Sequence, residues 1–220
     1  MKSDFKVVLI RHGITASNDR KEYIGCRTDV PLSKKGISLA QSAQKETRIL
    51  VGTPENIYSS PMTRCMQTAK ILWPEGNLRT VEDLREMDFG DFEGKNYIDL
   101  SDNPGYQKWI DSGGTAAFPN GEGREEFSLR TMNALKQILN DCRPEKKNYD
   151  VNKSETDECG RDIVIVCHGG TIMAAMSSIF GGDYYDYIVS NLNGYILELS
   201  YNDGNIFGKS YSGFIPGNCS

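Results

Sequence analysis

Val7-Val8-Leu9-Ile10-Arg11-His12-Gly13 and Ile163-Val164-Ile165-Val166-Cys167-His168-Gly169-Gly170 share one layout: an apolar run, then a histidine, then glycine. The chain holds 2 histidines in 220 residues, and both fall in this context. Neither run alternates apolar with polar, so each reads as a strand covered on both faces, as in a parallel sheet. If the two strands run parallel, both imidazoles emerge at one edge of the sheet. Open α/β folds bind their ligands at that edge.

Working outward, residues 34–50 predict a helix with Leu39, Ala43 and Leu50 on one face, and residues 56–59 a second short strand. Ser60-Pro61 reads as a helix start, Ser as the N-cap and Pro at the first helical position. Met62, Cys65, Met66, Ala69 and Leu72 follow at helical spacing, and Trp73-Pro74 ends the helix. A further helix is predicted over 125–142, with Phe127, Leu135, Ile138 and Cys142 on its apolar face. After the second His-Gly, the stripe Ile172, Ala175, Met176, Ile179, Phe180 is that of a core helix. Residues 195–200 and 206–211, with Asn202-Asp203-Gly204-Asn205 between them, read as a closing hairpin. Alternating strands and helices give an α/β fold, a three-layer α/β/α sandwich with a mostly parallel central sheet. Residues 1–220 are expected to form one domain. Residues 87–121, rich in Gly, Asp and aromatics, read as a loop-and-helix excursion over one end of the sheet, and 143–161 as an exposed polar connection.

Composition narrows the function classes. Apolar residues make up 38% and charged residues 25%, as in ordinary soluble globular proteins. A net charge of −5 argues against nonspecific nucleic-acid or anionic-membrane binding. It leaves room for an anionic small molecule held by a local arginine cluster. No apolar run approaches a membrane span, and Asp4 ahead of a short apolar run is not expected of a signal peptide. The 6 cysteines show no CxxC and no pairing rhythm, which favours a reduced, cytoplasmic chain without a zinc site.

Single residues leave alternatives open. His12 is a candidate catalytic group or a satisfied core histidine, and Arg11 a ligand-binding cation or a surface ion pair. Arg64 falls in the first turn of a predicted helix, where the macrodipole disfavours a cation. An anion at that helix start would reverse the sign; a solvated face would explain Arg64 equally. Glu86 lies in Leu84-Arg85-Glu86-Met87-Asp88-Phe89-Gly90-Asp91-Phe92-Glu93-Gly94, where 4 acids occupy 11 residues and spacing nominates none of them.

Together, Arg11-His12-Gly13, Asn18, Pro31-Leu32-Ser33 with Gly36, Ser59-Ser60-Pro61-Met62-Thr63-Arg64 with Gln67-Thr68-Ala69, Leu84-Arg85-Glu86 with Phe89-Gly90 and Glu93-Gly94, and His168-Gly169-Gly170 resemble the histidine phosphatase (phosphoglycerate mutase-like) superfamily. The resemblance covers about residues 5–200, with the motifs in the family's order. It implies the phosphoglycerate mutase-like fold and a phosphomonoesterase working through phosphohistidine, without metal or cofactor, on a small phosphorylated metabolite. His12 matches the nucleophile. Arg11, Arg64 and His168 match the groups around the phosphoryl oxygens, and Glu86 the proton donor. Asn18 and Gly169 match substrate-binding positions.

Glycine after His168 is similar to the branch of mutases, sugar bisphosphatases and cobalamin-pathway phosphatases. Leu84-Arg85-Glu86 with Phe89-Gly90 is similar to the small phosphatases, including α-ribazole phosphatase, and a broad-range phosphatase fits equally. Glycolytic mutases tend to carry Thr where this chain has Ile24, which makes a cofactor-dependent phosphoglycerate mutase the alternative. A non-catalytic phospho-ligand binder is the alternative of another class; it has no need of His12 or Glu86. Pro119-Asn120-Gly121-Glu122-Gly123 resembles a family loop usually read Gly-Glu-Ser, with Gly123 in the Ser position. Tyr97, Tyr106, Trp109, Phe118 and Cys26-Arg27 are expected mainly as packing, with an aromatic pocket of basic edge as the other reading.

Overall fold

A computed structural model describes residues 2–54, 56–143 and 162–216. Along these residues run β1 (Ser3–Arg11), α1 (Ala16–Asp19), α2 (Lys34–Val51), β2 (Asn56–Ser59), α3 (Thr63–Leu72), β3 (Leu78–Thr80), α4 (Pro104–Asp111), α5 (Arg124–Asp141), β4 (Asp162–Cys167), α6 (Gly169–Phe180), β5 (Gly194–Asn202) and β6 (Asn205–Phe214). Of the polar connection expected over 143–161, only Arg143 is described; the remainder lies outside the described residues.

The six strands form one sheet in the order β3-β2-β4-β1-β5-β6. The ladders from β3 to β1 are parallel, whereas β5 is antiparallel to β1 and β6 to β5. The sheet is therefore mixed, parallel where helices cross over and antiparallel where the closing hairpin joins. That hairpin turns through Asp203 (φ 48°) and Gly204 (φ 79°), and a two-residue turn can join only antiparallel strands.

Alternation along the buried strands divides the core. Phe5, Val7 and Leu9 of β1 face Leu135 and Ile138 of α5 and Ile172, Ala175 and Met176 of α6. Val8 and Ile10 face the other way, onto Cys65, Ala69 and Leu72 of α3 and Val51 of α2. Both sheet faces are thus covered, the arrangement the unalternating apolar runs require. Among the described residues, no helix is long and apolar enough to cross a membrane.

Local readings needed three corrections. The buried stripe of α2 is Gly36, Ala40, Ala43, Thr47 and Val51, while Leu50 is exposed. Small residues face inward because α2 lies against the chain that follows His12: a Cβ on Gly36 would collide with the Ile14 carbonyl oxygen. Second, α3 begins at Thr63 rather than Pro61. Its first turn is satisfied from a distant segment, with Asp29 accepting from the Thr63 N–H and Oγ1 at 2.7 Å each. Such tertiary capping leaves no local sequence signal. Third, β3 was not anticipated, whereas α4 is the helix of the loop-and-helix excursion over 87–121. α4 is capped by Asn103, whose side chain accepts from Gly105 and Tyr106, with Pro104 opening the helix.

Candidate active site

β1 and β4 are paired in register, Val7 opposite Ile163 through Arg11 opposite Cys167. The two histidines therefore leave the sheet side by side, their ring centroids 5.3 Å apart in an edge-on arrangement. The His12 N–H donates to the Cys167 carbonyl at 3.0 Å, which carries the ladder one residue beyond the strand.

His12 is buried, and its Nδ1 lies 2.7 Å from the carbonyl oxygen of Gly13. A carbonyl only accepts, so Nδ1 carries the proton and Nε2 keeps its lone pair. Burial holds this imidazole well below its ordinary pKa, and the Arg64 guanidinium pushes in the same direction. The Gly13 segment is itself fastened: its N–H donates to Thr68 Oγ1 at 2.9 Å, and Thr68 donates to the Arg64 carbonyl at 2.7 Å.

His168 occupies the N-cap position of α6 and is fully buried. Its Nε2 is 2.8 Å from Ser60 Oγ, and burial followed by Arg64 keeps it neutral. Arg64, only 1% exposed, donates to the carbonyls of Gly25 at 3.0 Å and Thr28 at 3.3 Å. Arg11 donates through Nη1 to the Val189 carbonyl at 2.7 Å, while its Nε is buried without a partner among the described residues. Two guanidiniums thus stand beside two neutral imidazoles, and a buried positive field of this kind is completed by an anion.

Glu86 is the acidic counterpart. Oε1 accepts from the Met87 N–H at 2.9 Å and Oε2 from the Gly170 N–H at 3.1 Å. Burial raises its pKa, opposed by those two N–H groups and by Arg64 and Arg11. Gly170 is needed here, since a Cβ on it would collide with Glu86 Oε1. At Gly169 a Cβ would stand 3.5 Å from Arg11 Nε, an ordinary contact. Among the described residues, no group of three or more His, Cys, Asp or Glu is arranged to hold a metal.

Arg11, His12, Asn18, Arg64 and Glu86 line one cavity of about 130 Å³, together with Thr15, Ile24 and Tyr23. Asn18 closes a capping box with Thr15 at the start of α1. Its Oδ1 accepts from the Thr15 N–H and from Asn191 Nδ2, which leaves the Asn18 Nδ2 outside these bonds. A second cavity of about 290 Å³ shares Arg11, Tyr23, Glu86 and Phe89 with the first. Its remaining lining includes Gly169, Gly170, aromatic and aliphatic side chains, two methionines and Arg124.

Sequence reasoning missed several residues that hold the site. Asn191 donates to the His12 carbonyl at 2.9 Å and ties that turn to Asn18. Arg130 on α5 forms a two-toothed pair with Glu122, Nε to Oε1 at 2.9 Å and Nη2 to Oε2 at 2.8 Å. The same guanidinium donates to the carbonyls of Asp83, Arg85 and Glu86. Glu122, from the loop with Gly123, also accepts from the Asp88 N–H at 2.9 Å. This pair fixes the turn carrying Glu86 from behind. The available signal was Glu122 within Pro119–Gly123, but its partner Arg130 had none.

The expected packing residues divide. Tyr97 is exposed, whereas Tyr106, Trp109 and Phe118 interlock with Tyr23, Phe89 and Phe92. Trp109 and Phe118 also line the second cavity. Arg27 is no basic edge: it pairs with Asp88 at 2.7 Å and donates to the Asn120 carbonyl.

A sheet with two neutral histidines at its central strand ends, two guanidiniums and a buried carboxyl defines a phosphoryl-handling α/β protein. The chain belongs to the histidine phosphatase superfamily, branch 1, whose family model matches residues 7–207. Its activity is of that family's general kind, hydrolysis of a small phosphate monoester. It is 31% identical over 179 residues to the uncharacterized phosphatase PhoE of Bacillus subtilis, covering 80% of this chain and 78% of the relative. It is 28% identical over 178 residues to the adenosylcobalamin/alpha-ribazole phosphatase of Escherichia coli, covering 79% and 78%. The crystal structure of a putative alpha-ribazole-5'-P phosphatase from Escherichia coli has the same fold, with a TM-score of 0.71 at 23% identity over 93% of this chain and 94% of the other.

Proposed function

We propose that His12 is the covalent carrier of the phosphoryl group and Glu86 the acid and base that serves it. The carrying observation is the Nδ1–Gly13 carbonyl bond, which leaves a lone pair on Nε2 in a cavity lined also by Arg11, Arg64 and Glu86. In the first displacement His12 Nε2 attacks phosphorus and the bond to the ester oxygen breaks. The electron pair leaves on that oxygen, which takes the Glu86 proton. In the second, water attacks phosphohistidine and gives its proton to the Glu86 carboxylate. The P–N electrons return to Nε2, and phosphate leaves. Arg11, Arg64 and His168 stabilise the equatorial oxygens, and Asn18 Nδ2 adds a donor.

The finer substrate assignment is α-ribazole 5'-phosphate or a broad range of small esters. Supporting it are the likeness to the Escherichia coli relative and Ile24 in the cavity wall, where mutases tend to carry Thr. Residues 1–220 act as one domain, with 87–121 folded over the site. A cytoplasmic setting goes with the thiols of Cys26, Cys65 and Cys167.

Purified protein is expected to release phosphate from p-nitrophenyl phosphate without added metal. His12→Ala is expected to lower kcat by at least about 10⁴-fold, since removing a nucleophile removes the covalent route. Full activity in that variant would overturn the assignment. Conversion of 3- to 2-phosphoglycerate faster than hydrolysis would move the chain to the mutases, and a panel including α-ribazole 5'-phosphate ranks the esters.

A further inference from the structure

We infer that the second cavity is the subsite for the alcohol half of the ester, and that it selects alcohols bearing an aromatic ring. The inference rests on the assignment of Glu86 as proton donor. Glu86 lies in the lining common to both cavities, so an ester oxygen within its reach has phosphorus on one side and the alcohol on the other.

The walls define what that alcohol is. Trp109, Phe118, Tyr184, Met173 and Ile188 line the second cavity, and its ionisable lining comprises Arg11, Arg124 and Glu86 plus tyrosines. Arg11 and Glu86 belong to the phosphate end. Arg124 is the one cation at the far end among the described residues, and it is already engaged. It donates to the Gly113 carbonyl at 2.7 Å, and its guanidinium lies 4.7 Å from the Tyr184 ring centroid and 5.0 Å from that of Tyr185. A compact alcohol carrying a carboxylate would lose its hydration against aromatic and thioether surface without a dedicated cation. A flat apolar alcohol would exchange water for ring contacts.

The test compares three phosphate esters of primary alcohols, so that leaving-group chemistry stays comparable: 2-phenylethyl phosphate, glycerol 3-phosphate and 3-phosphoglycerate. The first is expected to exceed the other two in kcat/KM by about 100-fold, the size of discrimination an apolar pocket supplies. Ile188→Asp changes a rim residue that is 63% exposed, so folding should survive, and it should shrink that ratio about ten-fold. Equal or reversed preference among the three esters overturns the subsite while leaving the hydrolase standing. If the enzyme turns over none of them, the hydrolase assignment fails, and calorimetry with the same esters decides the subsite. Tighter binding of the phenylethyl ester supports it; equal or no binding overturns it.

Discussion

The two cavities differ in how they are made. The smaller cavity is built at strand termini: Arg11 and His12 sit where β1 stops, beside His168 where β4 stops, and Arg64 sits in the first turn of α3. The neighbouring cavity is built by rings from segments far apart in sequence, Tyr23, Phe89, Trp109, Phe118 and Tyr184. One half is positioned by backbone ladders, the other by side-chain packing. A ladder holds its groups whatever surrounds them, whereas a packed wall is only as definite as its neighbours.

The sharpest way to break the comparison is Glu86, which belongs to both halves. Glu86→Gln is expected to lower kcat by about 10²–10⁴-fold, the usual contribution of positioned acid–base help. The pH profile carries the sign. Burial raises the Glu86 carboxyl, so it keeps its proton toward neutrality, and the rate should fall as pH rises through its ionisation. His12 is lowered, so the acid limb should lie below the ordinary imidazole range. In Glu86→Gln the alkaline limb should disappear; an unchanged profile would remove Glu86 from the role.

Gly170→Ala comes next. The added Cβ would displace the Glu86 carboxyl while leaving β1 and His12 untouched. A loss of up to about 100-fold in kcat is expected from misplacement of the acid, with melting temperature measured alongside. Glu122→Gln is a milder version, releasing Arg130 from one side. kcat should fall about ten-fold with KM little changed and the alkaline limb shifted, and a fall in melting temperature alone would reduce the pair to scaffolding. The smallest effect is expected from Arg27→Ala. Its partly exposed pair with Asp88 should leave the melting temperature almost unchanged, since solvent-exposed ion pairs contribute little.

The same division explains what could be read from the chain. Two buried runs ending in His-Gly announced a shared sheet edge because strand register is written in local apolar pattern. Arg64 announced itself by standing at a helix start. Glu86 could be picked from its acidic neighbours only by family resemblance, since its two N–H donors come from Met87 and from Gly170, 84 residues away. Asn191 and Arg130 carried no signal at all. Each acts through carbonyl groups of a distant turn, and such contacts exist only once the layers are assembled. The start of α3 was misread for the same reason, with its cap lent by Asp29.

The histidine strands β4 and β1 are the third and fourth of the six-stranded sheet, flanked by a strand on each side. Amide protons there exchange only when the sheet itself opens, whereas those of loops and edges exchange through smaller excursions. On slow heating, the reacting groups should therefore stay aligned until global unfolding. Discrimination between esters should fade at lower temperature than turnover itself, so that a warmed enzyme becomes less choosy before it becomes inactive.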